Sequence, residues 1–202
     1  MKTSILLIRH GETDWNASGR WQGQSDVPLN ENGIVQANLL AKRLSTWPIR
    51  AIYCSDLKRA AKTASILGDA LGLEPVSDIA WRERNGGDFE GLTGSQLNEM
   101  AAFQKLRSVK NWKPPNGESN LQVAVRAQEA FDKIINNHAD QMVAVVSHGG
   151  TIISLLSQVL GMPPGDRARI RVSRNTGFSI VEVGERGQFL VSLNDETHLM
   201  SD

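Results

Sequence analysis

Three short apolar runs mark the chain: Ile5 to Ile8, Ala51 to Cys54 and Met142 to Ser147. Each is too brief for a helix and is bounded by polar residues, the pattern of a strand buried on both faces of a parallel sheet. Phe178 to Val183 and Phe189 to Leu193, joined by Gly184-Glu185-Arg186-Gly187, predict a closing hairpin. Glu74 to Val76 reads as one further short strand.

Between these runs the apolar period becomes helical. Ile34, Ala37, Ala41 and Leu44 follow a capping Asn30, and Trp47-Pro48 ends that helix. Ala60, Ala64, Leu67 and Leu71 share the face of a second helix, closed by Gly72. Ser119-x-x-Gln122 matches a capping box and starts a helix to about Asn137. Its predicted apolar face is Leu121, Ala124, Val125, Phe131 and Ile135, interrupted by Gln128. A last helix spans Thr151 to Leu160. This alternation predicts an α/β fold, a three-layer sandwich with a mostly parallel mixed sheet and helices on both faces.

Two stretches break the rhythm. The polar segment Gly11 to Leu29 is a loop long enough to carry function. Residues 81–119, from Trp81 to Ser119, are punctuated by Gly86, Gly87, Gly91, Gly94 and Pro114-Pro115. With one predicted helix from Ser95 to Leu106, they read as a lid-like insertion over the sheet's carboxyl edge, within a single domain spanning residues 1–202.

Composition narrows the partners. The 22 basic and 22 acidic residues cancel, which argues against bulk attraction to nucleic acid or an anionic membrane. No run approaches the roughly 20 apolar residues of a membrane span. The single cysteine, Cys54, lies in a predicted strand and reads as an inert buried thiol. The expectation is a cytoplasmic protein, with self-association left open.

The candidate chemistry sits where the strands end. The first run stops at Arg9, His10 and Gly11, and the third at His148, Gly149 and Gly150. Arg59 falls in the first turn of the helix after the second run. Ligands gather at the carboxyl ends of strands in open α/β sheets. If the first and third strands are parallel neighbours, two histidines and two arginines meet there. Arginine offers a permanently charged donor fork suited to phosphate. His10 is the candidate nucleophile, since adjacent cations keep an imidazole neutral. Arg9 and Arg59 would clamp phosphoryl oxygens, and His148 would add a donor. No carboxylate cluster or metal-ligand spacing accompanies them, so neither metal nor cofactor is expected.

RHGETDWN, SDLKRA, WRERNGGDFEG and VVSHGG, in that order from Ile5 to about Leu199, resemble the histidine phosphatase superfamily. That group includes cofactor-dependent phosphoglycerate mutases and many small phosphatases. The resemblance implies that His10 carries the phosphoryl group and that Arg9, Arg59 and His148 bind it. It places Asn16, Gln22 and Gly23 at positions touching phosphoryl group or substrate, with Gly149 beside the second histidine. It also places the general acid in the segment of Glu83, where Asp88 and Glu90 compete for the role. A carboxyl group beside phosphate oxygens keeps its proton through like-charge repulsion. Glu83 paired at the surface with Arg82 or Arg84 is the bland alternative. Thr13 reads as a phosphate contact or as a turn hydroxyl.

The leading expectation is a metal-independent phosphatase of a small phosphorylated metabolite, working through phosphohistidine on His10. The alternatives are a phosphoglycerate mutase and a non-catalytic phosphate-binding protein. Against the mutase, Gly150 stands where mutases carry asparagine. The cations Lys105, Arg107, Lys110 and Lys113 also lack the mutases' paired arginines. Arg84, or Arg167, Arg169 and Arg171 on one side of an extended segment, could restore a carboxylate clamp; a solvated edge is the other reading of the latter three. His138 reads as exposed, and His198 as a residue that a returning tail brings toward the pocket.

Overall fold

The computed structural model describes residues 2–107, 109, 111–167, 169–172 and 174–200; Lys110 lies outside them. Six strands, β1 (Lys2–Arg9), β2 (Ile49–Cys54), β3 (Val76–Ser77), β4 (Met142–Ser147), β5 (Phe178–Gly184) and β6 (Gly187–Asp195), form one sheet in the order β3-β2-β4-β1-β5-β6. The first four are parallel; β5 and β6 run antiparallel as the closing hairpin. β3 begins two residues later than the pattern predicts. Pro75 has no N–H for a ladder, and its ring instead packs beside Gly68.

Alternation along β1 builds the two outer layers. Leu6 and Ile8 point to one face, where α2 (Glu31–Leu44) and α3 (Lys58–Leu71) cover them with Leu40, Leu44, Ala60, Ala64 and Leu67. Ile5 and Leu7 point to the other, under α6 (Asn120–Asn137) and α7 (Gly149–Val159), which contribute Phe131, Ile134, Ile152 and Leu155. Truncating a fully buried aromatic such as Phe131 to alanine costs about 3–5 kcal/mol. No helix among the described residues is long and apolar enough to cross a membrane.

The Asn30 and Ser119 caps form as the sequence predicts, and Gly72 closes α3 in a left-handed conformation. α2 stops at Leu44, ahead of Trp47-Pro48, where Trp47 N–H turns back to Leu44 O. The buried stripe of α6 is Val123, Ala124, Ala127, Ala130, Phe131 and Ile134; Leu121 and Val125 are exposed. Those two are apolar but lie on roughly the opposite side of the helix, between about a third and half a turn from the stripe that meets the sheet.

The loop after β1 contains a single helical turn, α1 (Asp14–Ala17). The predicted helix from Ser95 to Leu106 is two helices, α4 (Gly94–Glu99) and α5 (Ala101–Arg107). Met100 breaks them by taking an extended ψ of 111°. Phe103 then packs with Phe89 and Leu97, and with Trp21, Leu92, Leu106 and Trp112, into a small apolar cluster apart from the two main cores.

Candidate active site

Strand register delivers the two histidines side by side. Arg9 pairs with Ser147 across β1 and β4, so His10 and His148 are the next residues on parallel neighbours. His10 N–H donates to Ser147 O (3.0 Å), and the rings stand 5.0 Å apart. Arg59 enters from the first turn of α3, with its side chain fully buried.

Hydrogen bonds fix the protons on both rings. His10 Nδ1 lies 2.6 Å from Gly11 O, and a carbonyl only accepts, so Nδ1 holds the proton and Nε2 carries the lone pair. Arg59 Nε donates to His148 Nδ1 (3.2 Å), so the proton of His148 sits on Nε2. That Nε2–H is buried without a partner. Burial, followed by Arg59 and Arg9, pushes the pKa of His10 well below the usual imidazole value. Burial, Arg59 and His10 do the same to His148. Burial also pushes the Arg59 pKa down to about 10, which still leaves it charged at neutral pH.

The remaining donors of Arg59 shape the loop. Its terminal nitrogens donate to Gly23 O and Ser25 O, both at 2.7 Å. Gly23 has φ +53°, and a Cβ there would overlap the Glu90 carboxylate. Glu90 accepts from Gln24 N–H, Ser25 N–H and Gly86 N–H at 2.8 Å and from Ser25 Oγ at 2.6 Å. Its carboxylate is occupied in pinning this loop. Asp88 accepts from Asn116 near the surface.

Of the three competing acids, Glu83 lines the cavity, a space of about 270 Å³ that also meets Arg9, His10, Asn16, Gln22, Gly23, Arg59, Gly149 and Gly150. Its carboxylate accepts from Arg84 N–H (2.8 Å) and Gly150 N–H (2.9 Å). The surface-pairing alternative fails, because Arg82 is held bidentately by Asp56 and Arg84 turns away. Arg84 donates to Glu118 O and Asn120, with its guanidinium 4.3 Å over the Trp112 ring.

Arg84, Arg167, Arg169 and Arg171 are not among the described residues that line the cavity. The last three are exposed, in keeping with a solvated edge. His138 is half-buried, contrary to expectation, between Tyr53 OH (3.0 Å) and Gln141 (2.8 Å). His198 stays behind the site, stacked on Phe178 and bonded to Thr176 Oγ1. Thr13 is a turn hydroxyl: it caps α1 and engages Asn16 Oδ1, which leaves the Asn16 amide nitrogen as the group's donor to the cavity. Gln22 Oε1 is buried without a partner.

Several residues at the site escape the sequence pattern. Asn175 Nδ2 donates to His10 O (2.9 Å) and to Asn16 Oδ1 (3.2 Å), tying the two together. Thr176 N–H bonds Arg9 O (2.9 Å) from a left-handed conformation. Arg20, Trp21, Ile153 and Val172 complete the cavity wall. Asn-Thr-Gly before the hairpin was a visible turn signal, but nothing in it pointed to His10.

The chain is similar to known proteins over nearly its whole length. A probable phosphoglycerate mutase, GpmB of Yersinia enterocolitica, is 38% identical over 205 residues, covering 96% of this chain and 94% of its own. The solved structure of a mycobacterial glucosyl-3-phosphoglycerate phosphatase in complex with VO3 superposes with a TM-score of 0.87 at 30% identity, over 96% of this chain and 99% of that one. A phosphoserine phosphatase variant from Entamoeba histolytica, in complex with phosphoserine, gives 0.85 at 31% identity over 98% and 100%. Residues 5–196 match the sequence model of the same family, and the chain belongs to the histidine phosphatase superfamily (branch 1).

Proposed function

We propose that the protein is a phosphatase that hydrolyses a small phosphomonoester through a phosphohistidine on His10. The observation that carries this is the opposed tautomers of the two histidines. His10 presents a neutral Nε2 lone pair, and His148 presents an unpartnered Nε2–H donor beside it. One is built to attack phosphorus and the other to hold an oxygen on it.

In this reading His10 Nε2 forms a bond to phosphorus while the ester P–O bond breaks. Arg9, Arg59 and His148 bind the nonbridging oxygens, and Glu83 gives its proton to the leaving alkoxide. Glu83 then takes a proton from water as that water attacks the phosphohistidine. Phosphate leaves, and His10 returns neutral with its Nδ1 proton still on Gly11 O.

Water as acceptor is favoured by the cavity wall. Re-transfer to a glycerate hydroxyl needs that acceptor held in place, because effective concentration is how it outcompetes water. Gly150 brings no side chain, and Arg84 is engaged by Glu118 O, Asn120 and the Trp112 ring. The names of the two phosphatase structures agree with this reading, and that of the Yersinia relative favours the mutase.

The test has two arms. A chromogenic ester should yield an acid-labile phosphoprotein that is absent from folded His10→Ala. 3-Phosphoglycerate with a trace of 2,3-bisphosphoglycerate should release inorganic phosphate. If 2-phosphoglycerate forms much faster than phosphate is released from any ester tried, the protein is a mutase. Turnover retained by folded His10→Ala would end the phosphohistidine mechanism.

A further inference from the structure

The four consecutive carbonyls that end at Glu83 each accept from a side chain, supplied by β4, α6, α7 or the loop of Gln24. Arg126 of α6 donates to Ala80 O (2.7 Å), Ser147 Oγ to Trp81 O (2.7 Å) and Thr151 Oγ1 to Arg82 O (2.7 Å). Glu83 O receives two donors at 3.1 Å, Arg126 and Gln24 Nε2. Ser147 and Thr151 flank His148 in sequence, so part of this grip comes from the phosphate-binding segment itself. Arg126 is the one cation in the set, and it reaches both ends of the segment.

Arg126 is itself aimed by a carboxylate. Glu118 Oε1 accepts from Arg126 Nε and Oε2 from a terminal nitrogen, both at 3.1 Å, a two-point contact that fixes the guanidinium plane. Glu118 Oε2 also accepts from Asn85 N–H (2.8 Å), two residues past Glu83. Burial alone would raise the Glu118 pKa; its bonds to Arg126 and Asn85 bring it below the usual carboxylate range. Backbone on both sides of Glu83 is therefore tied to one Arg–Glu pair that does not line the cavity.

We infer that Arg126, aimed by Glu118, is a positioning residue that sets where Glu83 delivers its proton. The inference rests on Glu83 acting as general acid in the proposed phosphatase reaction. Proton delivery is sensitive to small displacements, because acid and acceptor must approach within hydrogen-bond reach. A fork that holds Ala80 O and Glu83 O together prevents the segment from sliding along α7. Ser147, Thr151 and Gln24 remain in an Arg126 variant, so the segment stays near the cavity and loses only its alignment.

The leaving group separates this role from a general loss of structure. An alkoxide needs the proton as the P–O bond breaks, whereas p-nitrophenolate leaves without it. kcat/KM reports only the steps through phosphohistidine formation, and it should be measured on glycerol 2-phosphate and p-nitrophenyl phosphate. Glu83→Gln sets the reference pattern. Arg126→Ala should lose about 30-fold or more on glycerol 2-phosphate, a part of the roughly 10²–10⁴-fold that general acids contribute, and less than about 3-fold on p-nitrophenyl phosphate. Arg126→Lys keeps the charge but cannot bridge both carbonyls and Glu118, so it should show the same pattern at smaller amplitude. It also carries the test if Arg126→Ala does not fold. Equal losses on both esters, or none, alongside a leaving-group-dependent Glu83→Gln would overturn the positioning role. A Glu83→Gln with no such dependence would remove the general acid, and this inference with it.

Discussion

Arg59 Nε donates to His148 Nδ1 across 3.2 Å, and that contact decides which nitrogen of the second histidine faces the cavity as a donor. Arg59 is fully buried and spends its other donors on Gly23 O and Ser25 O. A lysine could offer charge but not this geometry, since its ammonium is a single point on a flexible stem. Arg59→Lys is therefore expected to lower kcat/KM by about 10²–10³, the usual cost of one oriented donor, or more. Steady-state kinetics on a folded variant checks it; a loss under tenfold would mean that His148 finds its tautomer without Arg59.

The two buried histidines also make stability depend on pH in a defined direction. Folding lowers the pKa of both His10 and His148, by burial first and then by neighbouring cations. Below the ordinary imidazole pKa of about 6.5 the unfolded chain binds protons that the folded chain refuses. Stability is thus full above that pH and falls as pH drops through it, by up to roughly 1.4 kcal/mol per pH unit for each histidine. Urea unfolding at pH 7.5 and pH 5.5 should show the decline, above the range where carboxylates titrate. His10→Gln should reduce the slope in this interval but not abolish it, since His148 and, more weakly buried, His198 also have their pKa lowered by burial. A flat profile would mean that the two rings accept protons in the folded state.

What the sequence disclosed followed from strand ends and helix starts. Arg9, His10 and His148 were legible because β-branched runs stop abruptly at them, and Arg59 because it opens the helix after such a run. The apolar pattern of α6 differs from its buried face, because Leu121 and Val125 are apolar yet meet solvent. A helical period shows only which residues share a side, and the sheet selects the stripe that is buried. Asn175 and Arg126 were invisible for a different reason. Both act on backbone carbonyls, those of His10, Ala80 and Glu83, and a carbonyl has no residue type to pair with. Glu83 was separable from Glu90 only once the loop carrying Gly23 to Ser25 had closed over the Glu90 carboxylate.

That closure makes Glu90 and Asp88 distinguishable by experiment. Glu90 satisfies three backbone N–H groups and one hydroxyl, whereas the described contact of Asp88 is a single amide from Asn116. Removing an acceptor leaves its buried donors unpaired, at about 1–3 kcal/mol for each group that water cannot reach. Glu90→Ala should lower unfolding free energy by about 2–4 kcal/mol. It should also raise KM, because Gln22 and Gly23 line the cavity. Asp88→Ala should stay within about 0.5 kcal/mol of the parent, as for other surface changes. Paired denaturation curves decide between them; equal destabilisation would show that Glu90 does not pin the loop.

Gly150 is the position where the absence of a side chain matters most to the acid. Its N–H donates to Glu83 Oε2 at 2.9 Å, and a Cβ built on it would overlap Glu83 Oε1. Gly150 lies in the first turn of α7, so the backbone there is helical and accepts alanine without torsional strain. The obstacle is the carboxylate alone. Glu83 must swing away or α7 must shift, and Ile152 and Leu155, buried under the sheet, oppose the shift. Gly150→Ala should therefore fold with near-parental stability and lose at least about tenfold in kcat/KM on an alkyl phosphate, through misplacement of the proton donor. Gly149→Ala supplies the contrast. Its added methyl meets nothing closer than Arg9 Nε at 3.8 Å, so Glu83 keeps its place. The leaving-group dependence of Gly149→Ala should match the parent, and that of Gly150→Ala should match Glu83→Gln. If Gly150→Ala retains full activity on alkyl esters, the Glu83 carboxylate does not need the position it holds here, and the general acid must be sought elsewhere.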